Sequence, residues 1–395
     1  MSNSDTQKKH VKILVVASTP MTLQFFMMEQ LAKLAEKYDV SIASNWPDQK
    51  LRTEFETKLA TKTIHINIKR EICIGRDIVS LLQLIFICCK LRPTIIHSIT
   101  PKAGLLSSIA GLLCFVPCRI HTFTGQVWAT ASGMKRKILA FMDGIIGHCA
   151  TDILIDSNTQ REFLLANHII RKGNSQVLGY GSVSGVNLQK FKPCSVEEKE
   201  LRRQQLNLKS DDIVAIFIGR KKNDKGLNEL LAAWSEVSPG NPKLKLLLVG
   251  PDEDDFTQKI NAISAMLNGS IVNIDRVNDP EKYMQLADFF CLPSHREGFG
   301  SVLIEAGAVK LPALASDIYG IQDAVISEVT GILHPVGDKN AIAAGIKKLA
   351  ENPALCADLG QAAYIRVCKE FDSNLLLNEL LTFYNRKVTA LSHHK

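Results

Sequence analysis

The chain alternates between short, uninterrupted apolar runs and longer stretches with helical periodicity. The first run, VKILVVAS at residues 11–18, is typical of a parallel strand that is covered on both faces. A helical pattern at residues 23–36 and a second apolar run at residues 40–44 complete a β-α-β unit, which is expected to have a right-handed crossover. Further strands are predicted at residues 64–68, 94–99, 119–124 and 152–157.

A second series of the same kind begins at residues 213–220 with IVAIFIGR. Strands are predicted next at residues 244–250, 271–275, 288–294, 312–316 and 331–335, and helices at residues 341–350 and 374–386. The two series do not repeat each other in sequence, but both alternate strand and helix. The pattern therefore predicts an α/β protein with two Rossmann-like, doubly wound domains that face each other across a cleft.

The segment at residues 181–195 is the best candidate for a linker, because it is rich in Gly and Ser and has neither periodicity. A chain of 395 residues is long enough for two hydrophobic cores. We therefore expect an N-terminal domain at residues 1–185 and a C-terminal domain at residues 186–372. Residues 373–395 are expected to form a helix and tail that pack back on the N-terminal domain.

Composition and charge narrow the classes of partner. The net charge is +7 and no long Lys/Arg block is present, so nucleic acid is not an expected partner. Positive residues gather among the apolar stretches of the first half, for example at Lys90–Arg92 and Lys135–Lys137. This mixture suits an anionic membrane surface or an acidic substrate, and equally suits ordinary solvated faces beside buried helices.

The cysteines and the N-terminus indicate a cytoplasmic protein. None of the 10 cysteines has the spacing of a zinc site or a Cys-x-x-Cys motif, so buried thiols in a reducing compartment are expected. Residues 1–10 are polar and resemble neither a signal peptide nor an anchor. The longest apolar runs, residues 78–89 and 103–117, are shorter than the roughly 20 residues that span a bilayer. Any membrane contact is therefore expected to be peripheral.

A basic loop follows the first strand of the second series. The segment Gly219–Gly226 (GRKKNDKG) lies between a strand and a predicted helix that begins near Leu227. Cations beside a helix N-terminus favour a diphosphate, which Arg220 could bind through a bidentate fork and Lys225 as a point charge. The alternative interpretation is a solvated basic loop without a ligand.

A second candidate segment, PSHREGFGSVLIEAGA at residues 293–308, contains two glutamates. Glu297 lies in a loop, and Glu305 is predicted about two turns into a helix that starts near Phe299. Gly298 and Gly300 lack a Cβ, so their N–H groups could approach a sugar. Glu305 could accept hydrogen bonds from a ribose, and Glu297 could bind the reacting sugar or stabilise an oxocarbenium-like transition state. Alternatively, Glu305 is an ordinary ion-paired helix residue.

These two segments, followed by LPALASDIYGIQDAVISEVTGILHP at residues 311–335, resemble in order the C-terminal half of glycosyltransferase family 4. The resemblance implies the GT-B fold, a donor-binding C-terminal domain, an acceptor-binding N-terminal domain and transfer with retained anomeric configuration. It also implies roles for particular residues of the C-terminal half. Arg220 and Lys225 would hold the donor diphosphate, Glu305 the ribose, Glu297 with Gly298, Phe299 and Gly300 the donor sugar, and the backbone near Arg276 and Val277 the base.

The first half resembles a narrower subgroup, which extends undecaprenyl-diphosphate-linked sugars for surface polysaccharides. The segments that carry this resemblance are residues 119–137, 152–164 and 181–191. His121 falls where the family places a histidine near the reacting sugar, although a strand-end histidine bonded to backbone is the alternative. Ser18 and Thr19 occupy the acceptor-side loop, where many members of the family carry a glycine-rich turn.

The resemblance and the charges together give a concrete expectation for the reaction. The donor is expected to be a UDP-sugar, with an N-acetylhexosamine or a deoxy relative as the sugar. The acceptor is expected to be a lipid-linked saccharide at the inner face of the cytoplasmic membrane. No cofactor and no metal are expected, because Arg220 and Lys225 could neutralise the leaving diphosphate. The acidic run Asp252–Asp254 follows a predicted strand, where such residues commonly cap a helix.

Three other functions share parts of this pattern. A nicotinamide-dependent oxidoreductase would carry Gly-x-Gly-x-x-Gly after a strand, and neither half has it after its first strand. A non-catalytic sugar-nucleotide-binding protein could have lost site residues, yet Arg220, Lys225, Glu297 and Glu305 are all present. A sugar-nucleotide epimerase would use similar donor contacts, and only its products would distinguish it.

Overall fold

The computed structural model describes residues 11–69 and 73–392. The chain divides into two compact units. The first unit contains the chain up to Ser184 together with the chain from Asn374 onwards, and the second unit contains Gly185–Ser373. The expectation that residues 1–10 are neither a signal peptide nor an anchor concerns residues outside the described part.

The first unit contains a seven-stranded sheet in the order β3-β2-β1-β4-β5-β6-β7, with every neighbouring pair parallel. Alternate residues of β1 enter different cores: Ile13 and Val15 face one side, and Leu14 and Val16 the other. Because both faces are covered, the strands are apolar without alternation. The strands are β1 Lys12–Ala17, β2 Asp39–Ser44, β3 Lys62–His65, β4 Ile95–Ile99, β5 Cys118–Phe123, β6 Asp152–Ile155 and β7 Ser175–Val177.

Helices cover the two faces of this sheet in separate groups. The helices are α1 Pro20–Phe26, α2 Met28–Lys37, α3 Gln49–Leu59, α4 Ile74–Leu91, α5 Pro101–Leu113, α6 Gly133–Cys149 and α7 Asn158–Ala166. Buried residues of α2 and α3 share a core with Ile13 and Val15, and those of α4 and α5 share a core with Leu14 and Val16. Helix α5 packs between α4 and α6, so these three form one layer.

Three elements of the first unit differ from the prediction. The helix predicted at residues 23–36 is two helices, because the backbone at Met27 leaves the helical region with φ −132°. Helix α1 also starts earlier, at Pro20, where the fixed φ of proline favours a first turn and Thr19 caps the helix. The strand predicted at residues 64–68 ends at His65, and β7 was not predicted because three residues are too short for a periodic signal.

The second unit contains a six-stranded parallel sheet in the order β10-β9-β8-β11-β12-β13. Its strands are β8 Ile213–Ile218, β9 Leu244–Val249, β10 Ile271–Ile274, β11 Phe289–Leu292, β12 Ala313–Ser316 and β13 Gly331–His334. Its helices are α8 Val196–Gln205, α9 Leu227–Val237, α10 Phe256–Met266, α11 Pro280–Met284, α12 Ser301–Ala308, α13 Ile321–Ala324, α14 Lys339–Ala350 and α15 Pro353–Glu370. One large apolar core joins the sheet to these helices.

Most of the predicted linker at residues 181–195 is folded into the second unit. Val186 pairs with the chain at Asp372 in an isolated bridge, and its N–H donates to Phe371 O at 2.7 Å. Val186 and Phe191 are also buried in the core of that unit. The absence of periodicity at residues 181–195 therefore reflects an irregular segment that packs on the second unit.

The last helix, α16 (Ser373–Ser392), packs on the first unit. Leu380, Phe383 and Tyr384 are buried in the same core as Ile13 and Val15. The Tyr384 hydroxyl lies 2.6 Å from His97 Nδ1 on β4, which adds a buried polar contact to the apolar packing. Among residues 11–69 and 73–392, no helix is both long enough and apolar enough to cross a membrane.

Candidate functional site

The strand order of the second sheet reverses between β8 and β11, and the loops after these two strands meet there. Such a reversal is where open α/β sheets bind ligands. Gly226, at the end of the first loop, has φ +70°, and a Cβ on it would lie 1.9 Å from Pro293 O in the second loop. Only glycine permits both this backbone conformation and this close approach.

Lys225 and Glu297 form an ion pair between these two loops. The Lys225 Nζ to Glu297 Oε1 distance is 2.5 Å, and the side chains are 16% and 14% exposed. The hydroxyl of Ser294 donates to the same carboxylate oxygen at 2.8 Å. The structure thus brings together one predicted diphosphate residue and the predicted sugar-binding carboxylate.

Two helices begin beside this pair. Helix α9 starts after Gly226 and helix α12 after Gly300, and both glycines adopt the left-handed conformation. Neither helix has a side-chain cap at its N-terminus. The first N–H groups of both helices can therefore bind an anion or a hydroxyl, and both helix dipoles favour negative charge at this end.

Gly298 and Phe299 complete the turn that leads into α12. Gly298 is buried, and its carbonyl oxygen would lie 2.4 Å from a Cβ on Gly320, so the two loops touch backbone to backbone. The Phe299 ring is buried in the core and packs edge-on against Phe371, with the ring centroids 5.4 Å apart. Its side chain therefore supports the turn, and only its backbone could contact a sugar.

Arg220 is not in contact with the Lys225–Glu297 pair. Its guanidinium instead donates to Glu253 at 2.8 Å, and Lys222 Nζ lies 3.6 Å from the same carboxylate oxygen. The two side chains of the Arg220–Glu253 pair are each about one third exposed. Pairs of this kind contribute only about 0–1 kcal/mol, so a phosphate could replace Glu253 at little cost.

A fourth cation of the basic loop, Lys221, is buried and has a structural role. Its Nζ donates to Gly250 O at 2.6 Å and to Ile274 O at 2.7 Å. These carbonyls follow β9 and lie at the end of β10, so one side chain joins the loops of three strands. Burial lowers the pKa of Lys221, and the nearby Asp275 and Asp252 oppose that change.

Glu305 lies one turn into α12, not two, because the helix begins at Ser301 and not near Phe299. Burial raises the pKa of Glu305 to about 7, Lys190 lowers it, and Glu281 raises it further. Lys190 Nζ lies 3.5 Å from a carboxylate oxygen of Glu281, which is itself buried. Glu305 thus belongs to a cluster of two acids and one lysine, separate from the contacts of Glu297.

The residues predicted to frame a base lie in the loop after β10, at the edge of the sheet. Val277 is half-buried and packs against the core of the second unit. Arg276 is exposed, and its backbone N–H donates to its neighbour Asp275 at 2.7 Å. The contact of Val277 with the core anchors this loop to the second unit.

The acidic run after β9 is occupied by contacts within the protein. Asp252 accepts hydrogen bonds from the backbone N–H groups of Phe256 and Thr257 and so caps α10. Asp254 accepts from Asn223 at 2.8 Å, in the basic loop. Across the described residues, no group of three or more His, Cys, Asp or Glu side chains is placed to hold a metal ion. That the reaction needs no metal stays a prediction.

His121 is buried inside the first unit and is 1% exposed. Its Nδ1 lies 2.9 Å from the Ser98 hydroxyl, and a Cβ on Gly104 would lie 2.3 Å from the ring. Burial lowers the pKa of His121 to about 3, with a further contribution from His97. The imidazole is therefore neutral at physiological pH. These contacts provide a physical basis for a structural role, and its role near the reacting sugar stays a prediction.

Ser18 and Thr19 lie where the strand order of the first sheet reverses, between β1 and β4. The Ser18 hydroxyl is 2.8 Å from the Thr100 hydroxyl, which also accepts from the Ser18 N–H at 3.2 Å. Thr19 accepts from Met21 N at 3.3 Å. Thr100 has φ +83°, a strained conformation for a β-branched residue.

Several residues of these sites could not be found in the sequence. They are Lys190, Glu253, Glu281, Ser294 and Thr100. Ser294 lies within the segment at residues 293–308, and a hydroxyl three residues before a carboxylate is a weak signal for a contact. Glu253 lies within the acidic run Asp252–Asp254, which predicts a helix cap and not a partner for Arg220. The contacts of Lys190, Glu281 and Thr100 join residues that are distant in the chain, so no local motif predicts them.

Comparison with known proteins agrees with this architecture. Residues 12–147 match the model of the family described as glycosyl transferase 4-like, and residues 198–366 match glycosyl transferases group 1. The capsular polysaccharide biosynthesis glycosyltransferase CapM of Staphylococcus aureus is 32% identical over 94% of this chain and 96% of its own length. The UDP-Gal:alpha-D-GlcNAc-diphosphoundecaprenol alpha-1,3-galactosyltransferase of Escherichia coli is 25% identical over 72% of this chain and 74% of its own length.

Solved structures show the same fold. The crystal structure of HepE from Anabaena in complex with UDP matches with a TM-score of 0.79 and 16% identity, over 95% of this chain and 100% of that one. The predicted GT-B fold with two α/β domains is therefore confirmed, as is the family resemblance. The chain belongs to the family 4-like, group 1 glycosyltransferases.

Proposed function

We propose that this glycosyltransferase moves a sugar from a UDP-sugar to a saccharide linked to a polyprenyl diphosphate, with retention of anomeric configuration, in the synthesis of a surface polysaccharide. The observation that carries the proposal is the Lys225–Glu297 pair at the start of α9 and α12. A cation, a carboxylate and two uncapped helix starts lie in one place. Together their charges complement those that develop as the bond between the sugar and the diphosphate breaks.

Each group has a part in the proposed transfer. As the bond between the sugar C1 and the diphosphate oxygen breaks, negative charge grows on the diphosphate. Lys225, Arg220 and the N-terminus of α9 stabilise it. Glu297 lies beside the positive charge that develops on the sugar. The acceptor hydroxyl forms its bond to C1 on the face that the diphosphate leaves, and its proton passes to the departing phosphate oxygen.

Glu305 and Val277 bind the nucleoside part of the donor in this proposal. Glu305 accepts hydrogen bonds from the ribose hydroxyls, and the backbone around Val277 contacts the base. Glu305 is half-buried, and this supports its role because a partly desolvated carboxylate binds hydroxyls more strongly than an exposed one. Val277 is also half-buried. The two elements that hold them, α12 and the loop after β10, lie in the same unit.

The names of the relatives support the choice of substrates. The E. coli relative is named for UDP-galactose as donor and a diphosphoundecaprenol-linked N-acetylglucosamine as acceptor. CapM is named for capsular polysaccharide biosynthesis. For this chain we propose an N-acetylhexosamine as the donor sugar and an acceptor at the cytoplasmic face of the membrane, where lipid-linked saccharides and UDP-sugars are both accessible.

We also propose that transfer requires no metal. The cations Arg220 and Lys225 can supply the charge neutralisation that a divalent ion supplies in other transferases. The expected result is unchanged turnover when a chelator is added to the purified enzyme. A rate that falls with chelation and returns with a divalent cation would contradict this part of the proposal.

The decisive test of function is product analysis. Purified enzyme is incubated with a set of UDP-sugars and a polyprenyl-diphosphate saccharide, and the products are analysed by mass spectrometry and NMR. The proposal expects one lengthened lipid-linked saccharide with the donor's anomeric configuration. Conversion of one UDP-sugar into another without acceptor would instead establish an epimerase. Binding of UDP without any product would favour a non-catalytic protein.

A further inference from the structure

The outer surface of the α4–α6 layer is unusually apolar. On α4 the four residues Ile74, Ile78, Leu82 and Phe86 repeat at intervals of four, and each is between 53% and 76% exposed. Residues at this spacing form one stripe along a helix. From Ile78 to Cys89 the helix carries no charged residue. A helix that faces water normally presents charged side chains on its outer face.

Helix α6 presents a second stripe of the same kind. Met134, Ile138 and Phe141 are each at least 50% exposed and lie on one face at helical spacing. Both α4 and α6 pack against α5, so the two stripes belong to one surface. Phe115, which follows α5, is 89% exposed.

Helix α3 of the same unit shows that this exposure is not a general property of the fold. Its exposed positions are all polar: Gln49, Lys50, Thr53, Glu54, Thr57 and Lys58. Helix α3 covers the opposite face of the sheet. The α4–α6 layer therefore differs from α3, while the short helix α1 also exposes Met21, Phe25 and Phe26.

The charges around the stripes are almost entirely positive. Between residues 73 and 149 the acidic residues are Asp77 and Asp143. Asp77 is paired with Lys102 at 2.8 Å, and Asp143 is buried and accepts from the Trp128 indole at 2.7 Å. The exposed basic residues of this layer are Arg76, Lys90, Arg92, Lys135 and Lys137.

We propose that the α4–α6 surface docks on a bilayer that contains anionic lipids, with the stripes of α4 and α6 in the boundary between headgroups and acyl chains. The proposal rests on the proposed function, for which it names the membrane-binding surface. Apolar side chains bordered by lysine and arginine are what such a surface attracts. A second copy of this chain fits less well, because two cationic surfaces would face each other.

The test uses the full-length protein and a matched pair of variants. Leu82→Ser with Phe86→Ser removes two exposed apolar side chains of the α4 stripe. The control, Val196→Ser with Met266→Ser, removes two side chains of the second unit that are 70% and 81% exposed. Binding is measured by co-flotation with phosphatidylcholine vesicles, with and without phosphatidylglycerol.

The wild type and the control are expected to bind vesicles that contain phosphatidylglycerol, less strongly as salt is raised, and to bind pure phosphatidylcholine weakly. The α4 variant is expected to lose at least about tenfold in partitioning, since each side chain contributes its own burial. Lys135→Glu with Lys137→Glu should also weaken binding, but only to the anionic vesicles. Equal binding by the wild type and the α4 variant would overturn the proposal.

Two further measurements separate the other outcomes. If the surface joins two copies, light scattering in the absence of vesicles will show a dimer that the α4 substitutions dissociate, and this result would overturn membrane docking. Transfer to a water-soluble acceptor with a short lipid tail should be the same in the wild type and the α4 variant. If that transfer fails in both while vesicle binding persists, the proposed function is wrong and the docking surface stands.

Discussion

The carboxyl edges of the two sheets differ in charge, although the sheets follow the same rules of assembly. In the second unit this edge carries ion pairs at partly exposed positions, Lys225 with Glu297 and Arg220 with Glu253. In the first unit the contacts of Ser18 with Thr100 and of Ser98 with His121 are neutral, and the ion pair near this edge, Lys102 with Asp77, joins the starts of α5 and α4. Burial lowers the pKa of His97 to about 4 and that of His121 to about 3.

This difference indicates which edge can bind a charged ligand. The Arg220–Glu253 pair is about one third exposed, and such pairs exchange partners at low cost, so a diphosphate can take the place of Glu253. A buried neutral network instead loses stability when any member is left without its hydrogen bond. Substitutions in the second unit should therefore change donor binding and turnover, and those in the first-unit network should mainly change stability.

The largest effect is expected at the Lys225–Glu297 pair. Lys225→Ala and Glu297→Gln should each lower kcat by about 10²–10³-fold, the usual cost of losing one preorganised group that stabilises transition-state charge. Turnover of UDP-sugar is measured beside thermal melting. A variant that stays folded and turns over within a few-fold of wild type would remove that residue from the mechanism.

Glu305→Gln should separate function from stability. The folded-state pKa is about 7, above the ordinary 4.5, so Glu305 holds its proton more tightly when folded. Its contribution to stability is present below about pH 4.5 and is lost as pH rises towards 7. At about pH 8 the glutamine variant should be more stable by up to about 3 kcal/mol, and at about pH 4 no difference is expected.

The affinity for UDP should increase over the same rise in pH that removes the stability contribution of Glu305. Because the ionised carboxylate is the better acceptor for ribose hydroxyls, wild-type affinity for UDP should increase as pH rises through 7, and that increase should be absent in Glu305→Gln. Denaturant unfolding and UDP titration at both pH values provide the measurements. Parallel changes in the two proteins would show that Glu305 does not contact the nucleotide.

Tyr384→Phe tests the neutral network of the first unit. The substitution removes the hydroxyl 2.6 Å from His97 Nδ1 and leaves a buried nitrogen with no partner on that side. Unfolding free energy should fall by about 1–2 kcal/mol, with UDP affinity unchanged. Tyr180→Phe is the control, since Tyr180 is 54% exposed. A loss of UDP affinity equal to the loss at Lys225 would contradict the contrast between the two edges.

The smallest effect is expected at the exchangeable pair. Arg220→Ala should weaken UDP binding by about fivefold at most, because a charge that is one third exposed contributes no more than about 1 kcal/mol. Glu253→Gln should strengthen it slightly by releasing Arg220. Calorimetric titration measures both constants. Weaker binding in Glu253→Gln would mean that Glu253 positions Arg220 and does not compete for it.

The sequence predicted those parts of the fold and site that have a local signal. Buried parallel strands such as β1 and β9 are continuous apolar runs, and glycine-containing loops after β8 and β11 marked the place where the strand order reverses. The break between α1 and α2 at Met27 was not predicted, because no glycine or proline occurs there. Whether Arg220 contacts Glu253 or Glu297 depends on side-chain direction, which periodicity does not encode.

In the proposed reaction Lys225 binds the diphosphate of the donor, and a comparison of UDP with uridine isolates that contact. Binding of both ligands to wild type and to Lys225→Gln is measured by calorimetry under the same conditions. The preference of the wild type for UDP over uridine should be lost in the variant, while the affinity for uridine is unchanged. An undiminished preference for UDP, or an equal loss of affinity for uridine, would contradict it.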